Sequence, residues 1–476
     1  MRIDFQRNNG IPLHLQIAQA FADRIKSQTL DEHTALPSVR QLAQRLQVSV
    51  VTVLKAYRQL ESDGYVTVIQ GKGTFIKKPE QKVMLRETTP FDWQHQVEDY
   101  LPRAQFAPFY LTKARYHMSS MIVDSKLLPN HYFSEQMKTV FEKQPHMLSA
   151  YSEIQGDLVL RQSMKRYLQS VDLHCEEENI LVTTGLQQGI DLVARTFIGQ
   201  GDLVVMEEPT YPGAVDCFRG RGATILTVPV DENGMKVEYL RKICQQFTPK
   251  LVFTNPTFHN PTGTVLSLKR RKQLLELAQQ MNFLIVEDDP YSELFFNKKP
   301  PAPIKSFDKT GHVIYLKGLS KIYAPSCRTA LLVGNGPIFQ RLLASKANAD
   351  LGSPLLTQKL ILPLLGSTRM QAHAAKLRTA FQLRRDALIV QLKKHAPPNV
   401  TWYEPLGGLT IWLSLPQHID LARLKEEAEA QGITFLPGDT CYVQTTKHKK
   451  LRLSYSYINE QLIEHAIPLL CQLLAK

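Results

Sequence analysis

The chain has 476 residues, 43% of them hydrophobic, and a formal net charge of +13, which implies two or three globular domains with a large core. Its six cysteines are widely spaced with no C-x-x-C pair, which argues against a zinc site or a disulfide framework and for a reducing compartment. No apolar run is long enough to cross a bilayer and the first residues carry no signal-like apolar segment, so a soluble, cytoplasmic protein with no membrane partner is expected.

The charge is concentrated early. Residues 1–78 hold 11 Lys and Arg against 6 Asp and Glu, a net of +5. In "PLHLQIAQAFADRIKSQ", Leu13, Ile17, Phe21 and Ile25 recur at helical spacing. "LPSVRQLAQRL" opens a second helix, with Ser38 as N-cap and Gln41 completing a capping box. A third runs through "VSVVTVLKAYRQLESDGYV", capped by Ser49 and ended by Gly64. Val53, Ala56, Tyr57 and Leu60 form its buried stripe, with Ser49, Thr52, Lys55 and Gln59 expected on the other side. "YVTVIQGKGTFIKK" reads as two strands around a Gly71-Lys72-Gly73 turn.

This order is that of a winged helix-turn-helix. Its third helix is expected in the major groove of double-stranded DNA, with Ser49 and Thr52 reaching base edges. Lys55 and Arg40 are assigned to phosphate or guanine, Ser38 to the same surface, and Gly71 and Lys72 to the backbone. The alternative is a small helical bundle with a solvated basic face. The segment resembles the DNA-binding module of GntR-type bacterial regulators over nearly all of residues 10–77. Where that family usually has an arginine after the serine opening the recognition helix, this chain has Val50, which implies an altered operator.

Residues 79–115, with four prolines and no sustained period, read as a connector whose aromatics Phe91, Trp93 and Tyr100 suggest partial docking on a surface. Beyond it, "NILVTTG", "DLVVMEEPTY", "ATILTVPV", "PKLVFTNP", "NFLIVEDDPY" and "HVIYLKGLSK" read as strands, several separated by helical stretches. The fold class is therefore α/β, a mostly parallel sheet behind the helical module. Polar clusters fall at strand ends, where such sheets bind ligands: Thr184-Gly185, Glu208 to Tyr211, Asn255 to Gly263, Asp288 to Tyr291 and Ser320-Lys321.

Those clusters assemble a chemistry. The amides of Gly185, Leu186 and Gln187 open a helix and make an anion site, to which Arg328 adds a charged fork. Lys321 can form a Schiff base with an aldehyde. Asp288 suits a protonated ring nitrogen, Tyr291 and Asn260 a phenolic oxygen, and Tyr211 a stacked ring. Pyridoxal 5′-phosphate has need of all of them. Nothing points to a metal.

The same order resembles the fold-type I aminotransferases over roughly residues 116–476. "YSEIQGDLVLRQSM" is similar to their Y-x-x-x-x-G segment, which implies that Tyr151 reaches the phosphate in the partner subunit's site and that the protein is a homodimer. "HNPTG" resembles their N-P-T-G loop (Asn260), and "EDDPYSEL" their D-x-x-Y element (Asp288, Tyr291). "LSKIYAPSCR" resembles S-K-x-x-x-P-x-x-R (Ser320, Lys321, Arg328), and "LRLSYS" the substrate-carboxylate motif (Arg452). A GntR-type reader fused to such a domain resembles the MocR subfamily of transcription factors. That likeness implies a winged helix-turn-helix over 1–78, a linker over 79–115 and an aminotransferase-like domain over 116–476. The large subdomain would span about 150–345 and the small one 116–149 plus 346–476. It further implies a head-to-tail dimer on an operator with two half-sites, and sensing of the cofactor or of an amine or amino-acid effector.

Four positions depart from the enzyme pattern. Gly318 and Leu186 stand where phosphate-binding hydroxyls are usual, Ala330 replaces a glycine, and Met121 replaces the glycine of an S-S-G-x-P-D stretch, narrowing the amino-acid site. Each lost neutral hydrogen bond is worth about 1 kcal/mol. These departures favour a pyridoxal-phosphate-dependent regulator. The alternatives are an active aminotransferase with a regulatory DNA-binding domain, and a cofactor-free dimerisation scaffold.

Overall fold

Ile17, Phe21 and Ile25 stand one helical turn apart and all three are buried, so the first helix, α1 (Leu13–Lys26), turns its apolar stripe inward. The computed structural model describes residues 12–26, 30, 34–69, 73–77, 114–323 and 325–475. These fall into two units, one within residues 1–99 and one within 100–476.

In the first unit α1 is followed by α2 (Val39–Leu46) and α3 (Val50–Ser62), then by strands β1 (Val66–Ile69) and β2 (Gly73–Ile76). Ser38 caps α2: its hydroxyl accepts from the Gln41 amide at 3.3 Å while the Gln41 side chain accepts from the Ser38 amide at 3.1 Å. The left-handed Gln47 then stops α2, and its amide donates to Ala43 and Gln44. Phe21 and Tyr57 meet edge to face at 6.0 Å, and the Tyr57 hydroxyl donates to the Pro37 carbonyl at 2.8 Å. The two strands pair antiparallel, with buried Val66 opposite buried Ile76. Gly71 and Lys72 lie outside the described residues, as does most of the 79–115 connector.

The second unit is built on an eight-stranded sheet in the order Ile180–Thr183, Ala330–Val333, Val313–Gly318, Leu284–Asp289, Leu251–Thr254, Leu203–Glu208, Thr224–Asp231, Gly234–Met235. Five consecutive strands, from Val313–Gly318 to Thr224–Asp231, are parallel. Ala330–Val333 runs against both its neighbours. Its four apolar residues carry no alternation, so the sequence does not single it out as a strand.

Side chains alternate across the sheet. Val204, Met206, Ile314 and Leu316 pack with the helices Leu186–Phe197, Pro212–Arg219 and Gly336–Asp350. Val205, Val252, Ile285 and Val313 face the other way, against Val237–Gln246 and Leu268–Met281. Covering both faces explains why the strands read as near-continuous apolar runs. A smaller antiparallel sheet, Thr401–Trp402, Thr410–Ser414, Lys450–Ser454 and Leu436–Pro437, packs with the long helix Thr368–His395 and with Glu460–Leu474. Tyr116–His117 pairs parallel with Ile433–Thr434, so the start of this unit folds with its end. Among the described residues no helix is long and apolar enough to cross a membrane.

Phe381 lies fully buried on the inner side of Thr368–His395, whereas Val390 is 58% exposed on the same helix. Phe381→Ala is expected to cost about 3–5 kcal/mol and Val390→Ala less than about 0.5, read as urea midpoints by circular dichroism.

Candidate functional site

The residues that the sequence assigned to one ligand lie where parallel strands end. Lys321 follows Val313–Gly318. Asp288 sits in the last turn of the pleat of Leu284–Asp289, with Tyr291 just beyond, Asn260 follows Leu251–Thr254, and Tyr211 follows Leu203–Glu208. Gly185, Leu186 and Gln187 span the junction between Ile180–Thr183 and the helix Leu186–Phe197.

Asp288 is buried with its Oδ1 unpartnered. Its Oδ2 meets the Asn255 side-chain amide at 3.4 Å, and that amide also donates to the Asp288 carbonyl at 2.6 Å. Burial, reinforced by the neighbouring acids Asp289 and Glu207, pushes its pKa well above the carboxylate range. Burial thus disfavours its charged form before a ligand binds, and one oxygen is free for a ring nitrogen.

Asn255 also holds the other side of the site, because its Oδ1 accepts from the Asn260 amide at 2.8 Å. Glu207 anchors Asn255 in turn, accepting from its backbone amide and from Thr254 Oγ1, both at 2.8 Å, with His259 Nε2 at 3.3 Å. Glu207 was not assigned from the sequence. Its one signal there is an acid that follows the apolar run 203–206 within the strand, which must have a partner when buried.

Lys321 donates to the Met121 carbonyl at 2.6 Å. Burial, with the charges of Arg452 and Arg328 behind it, lowers its pKa to about 8. Its amine thus becomes a nucleophile near neutral pH. Arg452 is buried, donates to Asn260 Oδ1 at 2.8 Å and to the Ser119 carbonyl at 2.7 Å, and keeps its Nε unpartnered. The Tyr291 hydroxyl donates to the sulfur of Met121 at 3.2 Å. One short segment, Ser119 to Met121, therefore touches the lysine, the tyrosine and the arginine.

At the anion end, Gly185 has φ +84°, and a Cβ there would lie 2.4 Å from Arg328 Nη2. The positive φ favours glycine, and a side chain there would have to displace the guanidinium from above the helix start. Arg328 is exposed, with its own φ at +44° and Nη2 3.4 Å from the Thr184 carbonyl. The Gln187 side chain turns away, donating to the Gly213 carbonyl at 2.9 Å and accepting from the Tyr211 hydroxyl at 2.9 Å. The Thr184 amide is already taken by Gln188 Oε1 at 2.7 Å. Two departures from the enzyme pattern prove to be one: a Cβ at Gly318 would lie 2.6 Å from Leu186 Cδ1, so the leucine fills the room a side chain at 318 would need. Ser320 is half-buried directly before Lys321, and Tyr151 is 90% exposed.

These groups fit pyridoxal 5′-phosphate: Lys321 for its aldehyde, Asp288 Oδ1 for its ring nitrogen, Asn260 and Tyr291 for its phenolic oxygen, and Arg328 with the Gly185 turn for its phosphate.

In the first unit Arg40 and Lys55 are exposed. The Ser49 hydroxyl caps α3 by accepting from the Thr52 amide at 3.1 Å, and it shares a hydrogen bond with Thr52 Oγ1 at 2.7 Å. Ser38 is likewise engaged in its cap. These hydroxyls have local partners rather than hanging open.

Residues 125–470 match the family described as aminotransferase class I and II, and residues 13–76 match the bacterial regulatory proteins of the gntR family. An aromatic-amino-acid aminotransferase of Thermococcus litoralis is 33% identical over 72% of this chain and 84% of its own. YisV of Bacillus subtilis, an uncharacterised HTH-type transcriptional regulator, is 30% identical over 95% of this chain and 93% of its own. The solved structure of LysN, an α-aminoadipate aminotransferase of Thermus thermophilus complexed with N-(5′-phosphopyridoxyl)-L-leucine, superposes with a TM-score of 0.75. It is 27% identical and covers 80% of this chain and 98% of that one.

The lowered pKa of Lys321 sets a pH dependence. Its capture of added pyridoxal 5′-phosphate is expected to speed up roughly tenfold per pH unit as the neutral amine fraction grows, then to level off above about 8. Stopped-flow absorbance from pH 6 upward checks this, and a plateau delayed to the ordinary lysine range would refute the perturbed amine.

Proposed function

The chain belongs to the class I and II aminotransferase family and carries a gntR-family module ahead of that domain; from this arrangement we propose how a pyridoxal 5′-phosphate-dependent, DNA-binding transcriptional regulator senses its ligand. When bound, the cofactor supplies an aldehyde that condenses with primary amines and a protonated ring that withdraws electrons.

The observation that carries the reading is the buried, unpartnered Oδ1 of Asp288. A carboxyl held so costs stability unless a ligand completes it, and a ring nitrogen does so by sharing the proton. The Lys321 amine holds the aldehyde end. Arg328 and the amides at the start of Leu186–Phe197 take the phosphate. Asn260 and Tyr291 orient the ring from its phenolic edge, and Tyr211 covers it. An amine effector competes with Lys321 for the aldehyde, and an effector carboxylate goes to Arg452, whose Nε is free to donate.

Sensing is favoured over turnover because the phosphate end is thinned by Leu186 and Gly318 while the lysine end is intact. Ligand entry must also replace the contacts that Ser119 and Met121 make with Arg452, Lys321 and Tyr291. A ligand that favours one arrangement of that segment shifts the protein toward it, and the shift alters how two readers meet two half-sites. A head-to-tail homodimer supplies the two readers, and the 90%-exposed Tyr151 of one protomer reaches the phosphate in its partner's site. The second reading, an active aminotransferase, is supported by the co-location of Arg452 and Asn260 at 2.8 Å.

Lys321→Ala is expected to abolish both the yellow absorbance band formed with pyridoxal 5′-phosphate and any effect of amines on operator binding. Persistence of the amine effect in that variant counts against the proposal, and sustained keto-acid release by the unaltered protein would establish the second reading. Arg452→Gln is expected to raise the half-maximal concentration of amino-acid effectors by about 10- to 100-fold, the loss of a charged hydrogen-bonding pair, while leaving simple amines unaffected. Titration of the absorbance band with an amino acid and with its decarboxylated amine checks this.

A further inference from the structure

Three large apolar side chains of α3 face outward: Val50 at 50%, Val51 at 59% and Leu54 at 39% exposure. At 100° per residue they share one side of the helix with exposed Lys55 and Arg58, opposite the buried stripe of Val53, Ala56, Tyr57 and Leu60. The two hydroxyls expected to read bases have local partners instead, since Ser49 and Thr52 hold each other, and further along the helix the Gln59 amide donates to Asp63 at 3.0 Å. The outermost surface of α3 is thus an apolar centre with a cationic border.

Charge identifies its occupant. Residues 38–58 contain four cations, Arg40, Arg45, Lys55 and Arg58, and no acid. The first acid on this side of α3 is exposed Glu61, two turns beyond Leu54, so the cationic rim belongs to α2 and the earlier turns of α3, and duplex DNA presents phosphates on both sides of the major groove to match it. Within that groove the apolar feature is the C5 methyl of thymine. Resting on the reading of α3 as the DNA-facing helix, we propose that Val50, Val51 and Leu54 read thymine methyls, and that Lys55 and Arg58 hold the flanking phosphates. The operator half-site would then be specified by thymines rather than by hydrogen bonds to guanine from this face.

The test uses the full-length protein and a random-sequence duplex pool. Bound duplexes are selected, and each thymine of the resulting consensus is replaced by uracil, which removes the methyl and keeps every hydrogen-bonding group. Consensus half-sites are expected to hold two or more neighbouring thymines, with affinity falling about three- to fourfold per methyl removed, the transfer energy of one carbon. Val51→Ala/Leu54→Ala, on an exposed face where alanine favours helix, is expected to bring the thymine-to-uracil ratio near one while salt-sensitive binding to random duplex persists. A consensus whose affinity ignores uracil overturns the inference but leaves the DNA-binding reading standing. Failure to bind any duplex overturns both.

Discussion

Two adjacent buried acids organise the large domain, and they differ in whether they are satisfied. Neighbouring residues of a strand point to opposite faces of the sheet, so Asp288 and Asp289 meet different surroundings. Asp289 accepts from the Tyr315 hydroxyl at 2.6 Å and from the Ser292 amide at 2.9 Å, and it lies 3.4 Å from the buried ammonium of Lys317, its register partner on the next strand. Burial works against its charge, but those contacts outweigh it and leave its pKa below the usual value. Asp288 has only one weak side-chain partner and is driven the other way. One acid therefore fastens two central strands to each other, and the other keeps one oxygen without a partner. The site's remaining framework, from Glu207 through Asn255 to Asn260, surrounds that open acid with hydrogen bonds already made.

The same logic separates what a sensor keeps from what it drops. Lys321, Asp288 and Arg452, proposed as the reactive amine, the ring acid and the carboxylate-binding arginine, are each buried or half-buried, and burial is the main cause of each one's shifted pKa. The proposed phosphate end has instead backbone amides and an exposed arginine, with Leu186 packed into the space beside Gly318. Losing hydroxyls there costs affinity without touching the chemistry at the lysine. The Ser119–Met121 segment adds a mechanical element, since it occupies the three groups that a cofactor and an amine must engage.

The reader module is stabilised by its own devices: the capping box at Ser38, the edge-to-face pair Phe21–Tyr57 and the Tyr57–Pro37 hydrogen bond. Because its serine and threonine hydroxyls maintain these turns, the surface left for a partner is apolar and cationic.

Local patterning in the sequence determined a good deal. Helical spacing, capping residues and apolar runs between turns need only near neighbours, so the three helices, the hairpin strands and the parallel strands were legible, as were the polar groups at strand ends. The order of Asn260, Asp288, Tyr291, Lys321 and Arg328 was legible for the same reason, since they lie at or just beyond the ends of three strands that the apolar runs mark out. What tertiary structure alone decided depends on residues far apart in the chain. The insertion of Ala330–Val333 antiparallel between two strands depends on a register that no periodicity encodes. The pairing of Arg452 with Asn260, and of Lys321 with Met121, joins positions about two hundred residues apart. The filling of Gly318's space by Leu186 likewise emerges only when neighbours are placed in space. There, packing and hydrogen bonding assign each side chain one partner among the several its chemistry permits.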